Sequence, residues 1–232
     1  MSISEFYRLK CVVVGNSSVG KSSLVKLLNS PVSDGIIEST IGAAFVSVNI
    51  ELQEYNLSLN NQQNKTKNYQ KIKLDVWDIA GSPRYNSLLS VYVRDVDICF
   101  LVFDLNDRSS WLDLNNWHSK ISQYKKSDNY PIFVILANKS DLVWRINIDE
   151  IVIKSSEWNC KNHCVSAVQS NSHVVFRKII YNTVLDFHKN LLSKKIETLD
   201  NQTLHANVYS QNILNLNSDN SSVAIPKFCC FQ

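Results

Sequence analysis

Eight residues, GNSSVGKS at positions 15–22, constrain the fold more than any other part of this 232-residue chain. They fit the pattern G-x-x-x-x-G-K-[ST] and follow an apolar run, LKCVVVG, that ends on glycine. The next segment, KSSLVKLLNS, places Leu24, Leu27 and Leu28 on one helical face. A strand, a glycine-containing turn and a helix in that order open a βαβ unit, so an α/β domain with a mainly parallel sheet is expected. The backbone N–H groups of such a loop and of the helix start favour bound phosphate. Ser17, Ser18, Val19, Gly20, Lys21, Ser22 and Ser23 are the residues expected to cradle it. Lys21 supplies positive charge to β- and γ-phosphates, and the Ser22 hydroxyl is placed to ligate Mg²⁺.

The rest of the chain continues the alternation. FVSVNIEL and KIKLDVWD read as an antiparallel strand pair, followed by the strand DICFLVFD, the helix SWLDLNNWHSKISQY and the strand IFVILANK. A short strand near CVSA and a final helix, VVFRKIIYNTVLDFHKNLL, close the series. EYNLSLNNQQNKTKNY, residues 54–69, is polar and rich in Asn and Gln, and reads as a long disordered loop inserted between two strands. The polar stretch from about residue 193 lacks sustained periodicity and reads as a flexible tail ending in KFCCFQ. The expected organisation is therefore a domain over residues 6–192 and a tail over 193–232.

Composition excludes some classes. The longest apolar runs, ICFLVF and PIFVILA, are too short to span a bilayer. A net charge of +3 gives no case for a nucleic-acid partner. MSISEFYRLK has no apolar signal core, and the six cysteines lack framework spacing, so reduced cytosolic thiols are expected. Cys160, His163 and Cys164 have the loose spacing of a zinc half-site but no second ligand pair, and read as ordinary side chains.

Two further segments turn a phosphate loop into a switch. In WDIAGSPRY, Asp78 ends an apolar strand where its carboxylate can hold the Mg²⁺ shell through water, and Gly81 can present its N–H to a γ-phosphate. In ESTIGAAF, Thr40 offers a hydroxyl that completes the metal's coordination only with GTP bound. ANKSD supplies base selection. Asp141 accepts from the ring N1–H and exocyclic amine of guanine, a donor pair adenine lacks, while Asn138 meets the base edge and the Lys139 stem lies along its face. Ser166 and Ala167, in VSA, bring backbone N–H groups to the guanine carbonyl oxygen.

Together GNSSVGKSSLV, ESTIGAAF, WDIAG..RY, NKSD and the terminal CC resemble the Ras superfamily and, within it, the Rab family, most nearly its early-endosomal subgroup. The resemblance implies the small G domain of the P-loop NTPases: a mixed, mostly parallel six-stranded sheet with helices on both faces. It implies GTP or GDP as ligand, Mg²⁺ as cofactor, and effectors reading residues 41–45 and Trp77, with Ile41, Phe45 and Tyr92 on the same apolar surface. Core packing is the alternative reading of each aromatic. Also implied are an exchange factor, a GTPase-activating protein, a prenyl-carrying dissociation inhibitor, and prenylation of Cys229 and Cys230. Such a protein sits on the cytosolic face of endosomal or vesicle membranes; two lipids anchor stably where one binds marginally.

The departures from the family pattern define the open question. Gln-Glu after the switch glycine is replaced by Ser82-Pro83, so the catalytic set reduces to Lys21, Gly81 and a serine too short to orient water. Ser33 stands where an aromatic packs on the base, leaving Ile36 or Ile37 to cover it, and Val168 replaces a lysine. Ser18, for glycine, is a milder change. Two readings follow: a slow GTP-hydrolysing switch, or a scaffold that holds nucleotide without turning it over. NKSD disfavours an ATPase.

Overall fold

The computed structural model describes residues 7–29, 40–54, 68–124 and 131–216. Ser33, Ile36, Ile37, most of the Asn-rich insertion, and Cys229 and Cys230 lie outside these described residues. The chain divides into two units, Met1–Leu185 and Asp186–Gln232.

Among the described residues the first unit is built on six strands: β1 (Tyr7–Val14), β2 (Ala43–Glu54), β3 (Asn68–Ile79), β4 (Ile98–Asp104), β5 (Ile132–Asn138) and β6 (Lys161–Cys164). Their order in the sheet is β2-β3-β1-β4-β5-β6. All neighbours are parallel except β2 and β3, whose antiparallel register runs from Ala43 opposite Ile79 to Glu54 opposite Asn68. The expected pair therefore forms, and each strand extends into the insertion at its ends. β6 lies slightly before the expected CVSA stretch.

Burial on both faces explains why β1, β4 and β5 read as continuous apolar runs rather than as alternating ones. On one face, Val12, Val14, Leu101, Phe103 and Ile135 pack with Leu89 and Val93 of α2 (Leu89–Val93), Trp111 of α3 (Arg108–Leu112), Leu114, Trp117 and Ile121 of α4 (Leu114–Ser122), and Ile151 of α5 (Ile148–Glu157). On the other, Phe100 meets Phe176 of α6, which starts at Ser172, with ring centroids 6.1 Å apart. α1 (Lys21–Lys26) follows the phosphate loop and tightens after Lys26 into i→i+3 turns through Asn29; Ser30, the last residue of the expected helix, lies outside the described residues.

Three local outcomes differ from expectation. The single helix expected over SWLDLNNWHSKISQY is two, because Asp113 ends α3 and begins α4. α5 was not anticipated, although Asn147 and Glu150 form a capping box that announces it. The expected flexible tail from residue 193 is helical to Leu216 in the second unit. No glycine or proline falls between residues 193 and 216, so nothing there breaks a helix even though apolar periodicity fades.

Candidate functional site

The order β3-β1-β4 places the carboxyl ends of parallel strands around a topological switch point, where α/β sheets bind ligands. Gly15, Asp104 and Asn138 all lie at those ends. A cavity of about 490 Å³ opens there, lined by Ser17, Ser18, Gly20, Lys21, Ser22, Ser23, Thr40, Gly81 and Ser82 among the expected site residues. Arg84 and Tyr85 line it as well. Val19 is buried behind it.

Close packing dictates two of the glycines. Gly20 has φ +94°, and a Cβ there would run into the Asn138 amide. Gly81 has an ordinary φ, but a Cβ would lie closer than 3.0 Å to Gly15 O, Asn16 C and Ser17 N. The end of the β3 segment thus rests directly on the backbone of the phosphate loop. Lys21 lies at the base of the loop, its Nζ donating to Gly15 O (2.9 Å) and Asn16 O (2.7 Å). Burial lowers its pKa to about 8, with Asp78 opposing the shift, so the ammonium persists at neutral pH.

Ser22, Thr40 and Asp78 meet. The two hydroxyls are 2.9 Å apart, and Asp78 Oδ2 accepts from Ser22 Oγ and, at 3.3 Å, from Thr40 Oγ1. Asp78 Oδ1 is buried and accepts no hydrogen bond among the described residues. Burial raises the Asp78 pKa, while Ser22, then Lys21, pull it down. Three hard oxygen donors with one orphaned, desolvated carboxylate oxygen suit a small divalent cation such as Mg²⁺. The set fits.

The residues expected on the base side form a second cluster. Asn138, buried, donates from Nδ2 to Val19 O at 2.8 Å, so the NKSD turn and the phosphate loop are bolted together; its Oδ1 has no partner among the described residues. Lys139 adopts φ +60°, a conformation rare outside glycine, and its ammonium pairs with Asp104 at 2.6 Å. Ser166 Oγ donates to Asp141 Oδ1 at 2.5 Å and accepts from Val168 N at 3.3 Å. Ala167 is buried, whereas the Val168 side chain is 73% exposed.

Sequence reasoning missed several contributors. Asp104, which orients Lys139, was visible as the acidic end of an apolar strand. Ser166 acts through its side chain on Asp141, beyond the backbone role expected of it. Asn16 carried no local signal: it donates to Asp113 Oδ2 (2.7 Å) and accepts from the Trp117 indole (2.9 Å), tying the phosphate loop to α4. Ser82 is half-buried at the cavity, and its carbonyl accepts from Tyr85 N (3.1 Å) at the start of a 3-10 helix, Pro83–Leu88.

Phe45 and Trp77 pack as tilted rings with centroids 4.9 Å apart, and Trp77 and Tyr92 likewise at 5.5 Å. Phe45 is 48% exposed and Ile41 81%. Core packing therefore does not account for Ile41 or Phe45. The Cys160 thiol is pushed up to about 11 by burial, and that of Cys164 is also raised, so both are protonated at neutral pH. No helix among the described residues is long and apolar enough to cross a membrane.

Comparison with known proteins agrees with this geometry. Residues 10–185 match the family described as the Ras family. GTP-binding protein YPT52 of Saccharomyces cerevisiae is 29% identical over 239 residues, covering 96% of this chain and 99% of that protein. GTP-binding protein yptV5 of Volvox carteri is 36% identical over 62% of this chain and 63% of its own length. Ras-related protein RABG3e of Arabidopsis thaliana is 33% identical over 58% and 59% respectively.

Proposed function

This chain belongs to the Ras family, and from that premise we propose that it is a Rab-type GTP-binding switch of vesicle or endosomal membrane traffic that hydrolyses GTP slowly. The observation that carries the reading is the convergence of Ser22, Thr40 and Asp78 on one point beside Lys21 and Gly81. Thr40 stands on one switch segment and Gly81 on the other, so both segments close on the same phosphate end of a nucleotide.

In this reading Ser22 and Thr40 hold Mg²⁺ directly and Asp78 holds it through water. The cation supplies charge neutralisation at the β- and γ-phosphates. Loop N–H groups from Ser17 to Ser23 and the Lys21 ammonium bind the β-phosphate side, trading the Lys21 bonds to Gly15 O and Asn16 O for phosphate oxygens. Gly81 N–H reads the γ-phosphate. Asp141, held by Ser166, accepts from guanine; Asn138 and Lys139 flank the ring, with Ser166, Ala167 and Val168 beyond it. Ser82 is the weak element. Its hydroxyl is too short to orient an attacking water as a glutamine does, and positioned groups of this kind contribute roughly 10²–10⁴-fold. Pro83 fixes its own φ and removes an N–H, stiffening the segment.

The nucleotide-binding body spans residues 6–192, and prenyl groups on Cys229 and Cys230 at the end of the 193–232 tail hold it to the cytosolic face of endosomal or vesicle membranes. Ile41, Phe45 and Trp77 contact effectors; exchange factor, GTPase-activating protein and dissociation inhibitor complete the cycle. The Ser82-Pro83 pair also favours a second reading, a scaffold that holds nucleotide without turnover. Nucleotide extracted from freshly purified protein, followed by single-turnover hydrolysis in wild type and Ser82→Gln, separates them. A GTP and GDP mixture that changes with time, and faster turnover in Ser82→Gln, is expected. GTP alone, unchanged over hours, favours the scaffold, and equal turnover in both proteins refutes the role given to Ser82.

A further inference from the structure

The cavity holds two cations of different kinds. Lys21 is buried at its floor and bonded to loop carbonyls, whereas Arg84 is exposed in its wall, beside Gly81 and Ser82. Arg84 has no hydrogen bond or ion pair among the described residues, and neither sequence neighbour, Pro83 nor Tyr85, is acidic. Pro83 opens the 3-10 helix, and the Tyr85 N–H to Ser82 O bond closes the turn around Arg84. Ser82, two residues before it in the chain, brings only a small side chain to the same cavity. A guanidinium is always charged, and its fork of N–H donors matches phosphate oxygens in pairs.

We infer that Arg84 is a γ-phosphate clamp: its guanidinium donates to the γ-phosphate oxygens of bound GTP and so makes nucleotide retention selective for the triphosphate. This rests on the reading given under Proposed function, which places the γ-phosphate at Gly81, three residues earlier. GDP has no group at that end of the cavity, so Arg84 discriminates between the two states of the switch. The residue compensates in binding for what Ser82 lacks in chemistry, and prolongs the GTP state from both sides.

The test is the dissociation rate of a fluorescent non-hydrolysable GTP analogue and of fluorescent GDP, with Mg²⁺ in excess, from the full chain. Wild type, Arg84→Ala and Arg84→Lys are compared. A charge-assisted bond to phosphate predicts that Arg84→Ala releases the analogue roughly tenfold faster or more, with GDP release within about twofold of wild type. Arg84→Lys restores part of the retention, because it keeps the charge and loses the fork. Equal acceleration of both nucleotides, or of neither, overturns the clamp while leaving the switch reading intact. Failure of wild type to retain either nucleotide overturns the switch reading itself, and the clamp with it.

Discussion

Gly81→Ala is the sharpest probe of how the second switch segment is seated. A methyl group at this position meets three backbone atoms, Gly15 O, Asn16 C and Ser17 N, each closer than 3.0 Å. None is the end of a flexible side chain, so the phosphate loop or the segment after β3 must shift as a body. Because the φ of Gly81 is ordinary, the cost is steric. Overpacking of this sort costs about 1–3 kcal/mol. For a domain of this size each kcal/mol moves the melting temperature by roughly 2–4 °C, so a fall of about 4–8 °C corresponds to the middle of that range. With the γ-phosphate contact proposed for the Gly81 N–H, its displacement is expected to weaken binding of a GTP analogue more than of GDP. The assay is thermal unfolding of wild type and variant without nucleotide, then with saturating GDP or non-hydrolysable GTP analogue. Ligand stabilisation follows RT ln(1 + [L]/Kd), so the lost GTP contact appears as a smaller upward shift with the analogue. A nucleotide-free melting temperature within about 1 °C of wild type refutes the close seating of Gly81 on the loop.

Two other outcomes are expected. Ser166→Ala removes the 2.5 Å bond to Asp141 and lowers guanine-nucleotide affinity by about five- to tenfold in a fluorescent-GDP titration, with little change in melting temperature; unchanged affinity refutes the orienting role. His118 stacks on Trp158 at 4.2 Å and touches Phe133 at 4.4 Å, and burial, then Lys154, hold its pKa below the usual histidine value. The unfolded chain therefore takes up its proton more readily, so this contribution is complete above the unfolded pKa of about 6.5 and is lost as pH falls. His118→Phe should flatten the fall in melting temperature between about pH 7.5 and about pH 5, and identical profiles for the two proteins refute it.

What was legible in the sequence was whatever is encoded by contiguous residues. The phosphate loop, the NKSD turn and the apolar strands are local patterns, and the antiparallel pair could be read from alternation on either side of the insertion. α5 carried an equally local signal in Asn147 and Glu150 that apolar periodicity alone does not weigh. The partners of Asn16 could not be read, since Asp113 and Trp117 lie about a hundred residues away and meet it only once α4 packs on the sheet. The same holds for Ser166 on Asp141 and Asp104 on Lys139. Side-chain choices that orient a binding residue follow from tertiary proximity, which composition and spacing do not express.

The bond from Asn138 to the Val19 carbonyl has a thermodynamic consequence for pieces of the ligand. One amide holds the end of β5 against the phosphate loop, so the surfaces proposed for ring and for phosphate are ordered together. A guanosine lacking phosphates and a pyrophosphate lacking a base should each find their half of the site firmer when the other is present. Their joint binding should be cooperative without any contact between them, and Asn138→Ala should make it merely additive.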